Sequence, residues 1–187
     1  MSKRLFVAVK YNADQRFEGV YDFIKHNLRD EDIKWTDYQN LHFTLKFYGR
    51  TPGKLIKDIN KILGKIAVST PSFELNIDKL GLFGSQYKPR VIWTGMSEFE
   101  QMEAIANKIA EQSEALGFII DRQNFIPHLT LGRIKGIKHK KYFQDVIKKA
   151  RERVDFTFSI SEFQLLESIL TSDGPIYKVI STHKLQK

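Results

Sequence analysis

Cysteine is absent from this 187-residue chain. That excludes disulfides, zinc–thiolate centres and a cysteine nucleophile. Long apolar runs are missing too, none approaching the roughly 20 residues that span a bilayer. At the N-terminus, Leu5 to Val9 is apolar only over the length of a strand. No small-residue cleavage site follows, so a cytoplasmic protein without a signal peptide is expected. The five prolines and eleven glycines are dispersed, and no low-complexity tract or linker breaks the pattern. One domain over residues 1–187 is therefore expected. There is no Gly-x-x-x-x-Gly-Lys phosphate loop, dinucleotide fingerprint or Gly-x-Ser-x-Gly elbow, which removes three common catalytic plans.

What is present is an ordinary globular composition, 42% hydrophobic, with a formal net charge of +8. The positive balance fits a polyanionic partner such as RNA or DNA, and equally a lysine-rich surface kept for solubility. Short strand-like runs alternate with helical ones. Strands are predicted over 4–9, 41–48, 73–77, 91–93, 128–131, 154–158, 163–167 and 177–180. Helical spacing of apolar residues predicts helices over 14–28, 54–68 and 142–150. A further helix opens at the capping-box pattern Ser97-Glu98-Phe99-Glu100 and ends at Gly117. Residues 81–89 read as a loop.

One pattern occurs twice: His42-Phe43-Thr44-Leu45 and His128-Leu129-Thr130-Leu131. Both copies lie in strand-like runs, where residues two apart share a face. Each copy therefore presents one imidazole beside one hydroxyl, with Phe43 and Leu45, or Leu129 and Leu131, turned into a core. A single His-x-Thr is most often a solvated polar pair. Two copies with matching apolar partners instead suggest a joint site and an internal duplication into two α+β lobes. Around one phosphate, a neutral imidazole removes a proton from the nucleophile and a charged one protonates the leaving oxygen. Thr44 and Thr130 are placed to bind non-bridging oxygens. Neither motif carries an acidic residue, so no metal and no cofactor is expected.

The sequence resembles the two-histidine phosphoesterase superfamily, and within it the bacterial and archaeal RNA 2′,3′-cyclic phosphodiesterases, also called 2′-5′ RNA ligases. The resemblance runs from Arg4-Leu5-Phe6-Val7-Ala8-Val9 through residues 41–49, Pro89-Arg90-Val91-Ile92-Trp93 and residues 125–133. It continues to Leu166-Glu167-Ser168 and Asp173-Gly174-Pro175-Ile176-Tyr177. It implies a bilobal α+β fold in which two lobes, related by a pseudo-two-fold, line a central cleft with antiparallel sheets and carry helices outside. It implies hydrolysis of RNA 2′,3′-cyclic phosphate ends to 2′-phosphomonoesters, with His42 as proton donor and His128 as proton acceptor. Reverse 2′-5′ ligation follows from microscopic reversibility. The implied partner is RNA with such an end, for which tRNA fragments are candidates; no membrane partner is expected, and a monomer is the default expectation for a cleft enzyme of this size.

Around the pair, Arg133 is a candidate phosphate clamp, although strict alternation sets it on the face opposite His128. Lys46 and Tyr48 share the parity of His42 and are candidates to line the cleft. The run over residues 135–141 reads either as an RNA-backbone contact or as a solvated loop entering a helix. Tyr11, Phe83, Tyr87 and Trp93 are candidates to stack a base. His26, His139 and His183 read as ordinary surface residues. Two other readings stay open: a phosphodiesterase for a small cyclic phosphate or 2′-5′ oligoadenylate, and a non-catalytic RNA-binding module.

Overall fold

The computed structural model describes residues 1–85, 87–120, 125–172 and 174–187. Gln86, inside the expected loop, and Asp173, part of the family resemblance, lie outside the described residues. Its elements run β1 (Ser2–Lys10), α1 (Gln15–Asn27), β2 (Asp32–Trp35), β3 (His42–Pro52), α2 (Ile56–Val68), β4 (Phe73–Ile77) and β5 (Lys79–Ser85). They continue with β6 (Lys88–Gly95), α3 (Glu100–Glu114), β7 (His128–Gly136), α4 (Lys140–Arg151), β8 (Phe156–Ile160), β9 (Glu162–Leu170) and β10 (Pro175–Lys184). The order β1-α1-β3-α2 recurs as β6-α3-β7-α4, which is the duplication expected from the paired motif.

Two four-stranded antiparallel sheets form, ordered β10-β9-β1-β3 and β2-β7-β6-β5. In β1, every residue from Leu5 to Val9 is buried. Leu5, Val7 and Val9 enter the main core, whereas Phe6 and Ala8 join Leu166 in a separate apolar patch on the opposite face. A strand covered on both sides reads as a continuous apolar run rather than an alternation, which is what Leu5-Phe6-Val7-Ala8-Val9 is.

The helices exchange lobes. α2 backs the first sheet through β9 and β10, and α3 joins it from the second repeat by packing on β3 and α2. In the second lobe α4 packs on β5 and α1. There the Tyr21 hydroxyl of α1 donates to the carbonyl of Thr36 at 2.6 Å, at the end of β2. The two-stranded pairing of β4 with β8 joins a strand from each repeat, and β3 runs beside β7.

Two local expectations are corrected, and one strand went unread. The Ser97 capping box does not form: Phe99 occupies the N-cap without a side-chain hydrogen bond, and the Ser97 N–H instead donates to Asp78 Oδ1 at 2.7 Å. Gly117 does close α3, with φ +86°. The stretch expected as a loop carries β5, hidden from pattern reading by Gly81 and Gly84. Gly81 is glycine because Trp93 lies over it, a Cβ there falling 2.3 Å from the indole. β2, only four polar-alternating residues at a sheet edge, carries too little apolar signal to be read at all.

Candidate active site

Both motifs sit at the start of a strand, one in each four-stranded sheet. His42 and Thr44 open β3, and His128 and Thr130 open β7, all four half-buried. Phe43, Leu45, Leu129 and Leu131 are buried in the core, as the parity requires. Cross-strand partners share a face, and the registers of the two lobes superpose: Thr44 stands opposite Ala8, and Thr130 opposite Trp93.

Each imidazole is fixed the same way. His42 Nδ1–H donates to the carbonyl of Asn40 at 2.7 Å, and His128 Nδ1–H donates to that of Ile126 at 2.8 Å. A carbonyl only accepts, so Nδ1 must carry hydrogen. In both neutral rings Nε2 is then the lone-pair nitrogen, available for proton transfer. Each ring also leans on an aromatic pair. His42 lies 5.2 Å from Phe6 and edge-on to Tyr177 at 5.0 Å. His128 lies edge-on to Phe83 at 4.8 Å and to Trp93 at 6.3 Å. Phe83 and Trp93 are mutually stacked at 4.9 Å.

This apolar setting pushes the pKa of both histidines below the ordinary imidazole value. At His42, burial is the main cause and the charge of His128 adds to it, while the Asn40 carbonyl opposes. At His128, burial again leads, the Ile126 carbonyl opposes, and the Arg133 guanidinium lowers the value further. The two imidazoles are thus within electrostatic reach of each other, and Arg133 acts on His128.

Arg133 comes onto the face of His128 by a route that strict alternation hides. Between Trp93↔Thr130 and Ile92↔Gly132 the register slips, leaving Leu131 as an extra residue. Arg133 then pairs with Val91, which shares a face with Trp93, so Arg133 joins His128 and Thr130. A β-bulge re-aims the side chains that follow it. The first lobe repeats the device: Leu45 is the extra residue between Ala8↔Thr44 and Val7↔Lys46.

The same bulge overturns the placement of Lys46 and Tyr48 in the cleft. Lys46, 8% exposed, extends its Nζ to the carbonyl of Ile119 at 2.8 Å. Tyr48, 7% exposed, packs on Phe118 and shares a hydrogen bond with Ser113. Phe47 takes the position on the face of His42 and Thr44 instead, opposite Phe6. Among the base-stacking candidates, Tyr11 is a core residue packed on Phe17 and Phe158. Tyr87 is exposed between β5 and β6, and Phe83 and Trp93 wall the His128 side.

His26 and His139 are exposed. His183 departs from the surface reading: it stacks on Phe163 at 5.7 Å, and burial lowers its pKa. The basic run 135–141 is pinned by Glu31, a buried carboxylate that accepts from the backbone N–H groups of Lys138 and His139.

Pattern reading did not single out Phe6 and Tyr177 as walls of the site, or the Asn40 and Ile126 carbonyls that set the tautomers. Phe6 was within reach, because its parity is opposite to that of Leu5 and Val7. Among the described residues, no three His, Cys, Asp or Glu side chains converge on a position that holds a metal ion. No helix among them is long and apolar enough to cross a membrane.

Comparison with known proteins follows the same lines. The family model described as LigT like phosphoesterase matches residues 8–93 and 95–177. An RNA 2′,3′-cyclic phosphodiesterase of Methanocaldococcus jannaschii is 34% identical over 178 residues, covering 95% of this chain and 98% of the relative. One from Archaeoglobus fulgidus is 32% identical, covering 94% and 96%. A crystal structure from Thermus thermophilus superposes with a TM-score of 0.78 at 23% identity over 97% of each chain. Escherichia coli LigT complexed with 3′-AMP gives 0.73 at 22% identity over the full length of both. These structures share the bilobal α+β fold. The chain belongs to the LigT-like phosphoesterase family.

Proposed function

We propose that this protein hydrolyses RNA 2′,3′-cyclic phosphate ends to 2′-phosphomonoesters, with one histidine from each lobe as acid and base. The observation that carries the reading is the matched pair of imidazoles, each holding its Nδ1–H on a backbone carbonyl. Relatives at 32% and 34% identity that carry this activity in their names support it.

In the proposed step, His128 Nε2 takes a proton from water as the water oxygen bonds to phosphorus. The bond from phosphorus to the 3′ oxygen breaks, and His42, protonated on Nε2, gives that oxygen its proton. The product carries a 2′-phosphate and a free 3′ hydroxyl. Thr44, Thr130 and Arg133 hold the non-bridging oxygens and offset the charge that builds on them. The role assignment follows the family resemblance, and it is supported by the Arg133 cation, which favours the neutral, basic form of His128. Run in reverse, the site joins a cyclic phosphate end to a 5′ hydroxyl.

The catalytic unit is taken to be the whole chain, residues 1–187, acting as a monomer in the cytoplasm without a metal or cofactor. tRNA fragments with cyclic phosphate ends are the substrates to try first. The test incubates an RNA ending in a 2′,3′-cyclic phosphate with the protein in EDTA and identifies the product by phosphorus NMR. A 2′-phosphate formed by the wild type and lost in His42→Ala and His128→Ala is the expected result. Turnover that needs added metal, or a 3′-phosphate product, overturns the mechanism.

A further inference from the structure

The first sheet carries an unpaired cationic and aromatic surface next to His42 that the reaction above does not use. Arg4 and Arg50 are direct cross-strand partners, and Phe6 and Phe47 form the neighbouring pair on the same face. Like charges set opposite each other destabilise a sheet. Among the described residues, no salt bridge or hydrogen bond joins either guanidinium to a partner. Phe47 is 66% exposed, yet its ring lies 5.9 Å from Phe6, which itself touches His42. The position of Phe47 in the first lobe is that of Arg133 in the second, each following its motif across the same bulge. One lobe thus carries a cation on its motif face there, and the other an open aromatic face.

Geometry ties this surface to the proposed site. Arg4 is two residues along β1 from Phe6, about 7 Å, a span comparable with one nucleotide step. Tyr177, edge-on to His42, feels the charges of both Arg4 and Arg133, although burial keeps its pKa above the ordinary phenol value. One cation from each lobe therefore lies within electrostatic reach of Tyr177. Planar guanidinium groups match phosphate oxygens in pairs, and an exposed aromatic face accepts any base.

We propose that Arg4, Arg50 and Phe47 form a subsite for the nucleotide on the 5′ side of the cyclic phosphate. Phe47 stacks its base, and the arginines hold the phosphodiester that links it to the terminal nucleoside. The inference rests on the proposed phosphodiesterase reading and narrows its substrate to RNA ends of at least two nucleotides. In a terminal cyclic phosphate every further nucleotide lies on the 5′ side, so the subsite discriminates RNA from free nucleoside cyclic phosphates.

The test compares kcat/KM for a nucleoside 2′,3′-cyclic phosphate with that for a dinucleotide ending in the same cyclic phosphate. Wild type, Arg50→Gln, Arg4→Gln/Arg50→Gln and Phe47→Leu are assayed after thermal melts establish that each is folded. The wild type is expected to favour the dinucleotide by about 10-fold or more. Arg50→Gln should remove most of that preference through KM and leave the mononucleotide rate unchanged. Equal rates on both substrates by the wild type overturn the subsite, as does a parallel loss on both substrates in every variant. Failure to hydrolyse either substrate overturns the phosphodiesterase reading itself, an outcome distinct from the other two.

Discussion

At the scale of single residues, the two imidazoles are set by short-range contacts that make their protonation predictable. Both sit on apolar walls that lower their pKa, so the neutral forms persist to lower pH than in a free histidine of about 6.5. The bell-shaped profile of kcat/KM is accordingly expected to have its optimum on the acid side of neutrality, its limbs belonging to the coupled pair. Arg133 is the test of sign. Its charge lowers the pKa of His128, so Arg133→Gln should move the acid limb to higher pH and cut kcat/KM about 100-fold. A loss of rate with an unmoved limb would assign Arg133 to phosphate binding alone. Thr44→Val and Thr130→Val keep the strand-forming shape and remove one hydroxyl each. Each should lower kcat about 10-fold, the worth of one hydrogen bond that strengthens with developing charge, as read in single-turnover assays.

At the scale of elements, bulges and glycines decide which way side chains point. Gly81 lets the Trp93 indole lie against β5. Gly81→Ala places a methyl where the ring is and should cost about 1–3 kcal/mol of stability, the range for overpacking. It should also displace the wall behind His128, so denaturant midpoint and kcat/KM are expected to fall together. Glu31 holds the entry to α4. Burial pushes its carboxyl up, but the N–H groups of Lys138 and His139 outweigh that and leave it below the usual carboxylate range. With a depressed folded pKa, its contribution is present above the unfolded value of 4.5 and is lost as pH falls through the folded one. Glu31→Gln should therefore cost about 1–3 kcal/mol at pH 7, the difference from wild type shrinking in acid, as urea titrations at pH 7 and pH 3 would show. The bulges at Leu45 and Leu131 explain why reading by parity succeeded for the motif residues and failed beyond them. Up to the fourth motif residue the period of two holds. After it, Lys46 and Tyr48 turn into the core, and Phe47 and Arg133 turn to the face of the motif histidines.

At the scale of the whole molecule, the proposed acid and base come from different lobes, and helices exchanged between the repeats lock the lobes together. The net charge of +8 predicts that affinity for oligonucleotides falls with salt, with a log–log slope of about −0.7 per phosphate contacted. A nucleoside cyclic phosphate should show a shallower dependence than a tetranucleotide, measured as KM between 50 and 200 mM salt. The sequence by itself determined the fold class, the two motif strands and the identity of the four polar residues on them. It could do so because burial of Phe43, Leu45, Leu129 and Leu131 leaves His and Thr only one face to occupy. Tertiary structure alone decided which nitrogen of each ring carries the proton, that Arg133 and Phe47 share the face of the motif histidines, and that Tyr177 meets His42 from a strand 135 residues away in sequence. Those outcomes depend on register slips and on packing between distant strands, where local periodicity carries no information.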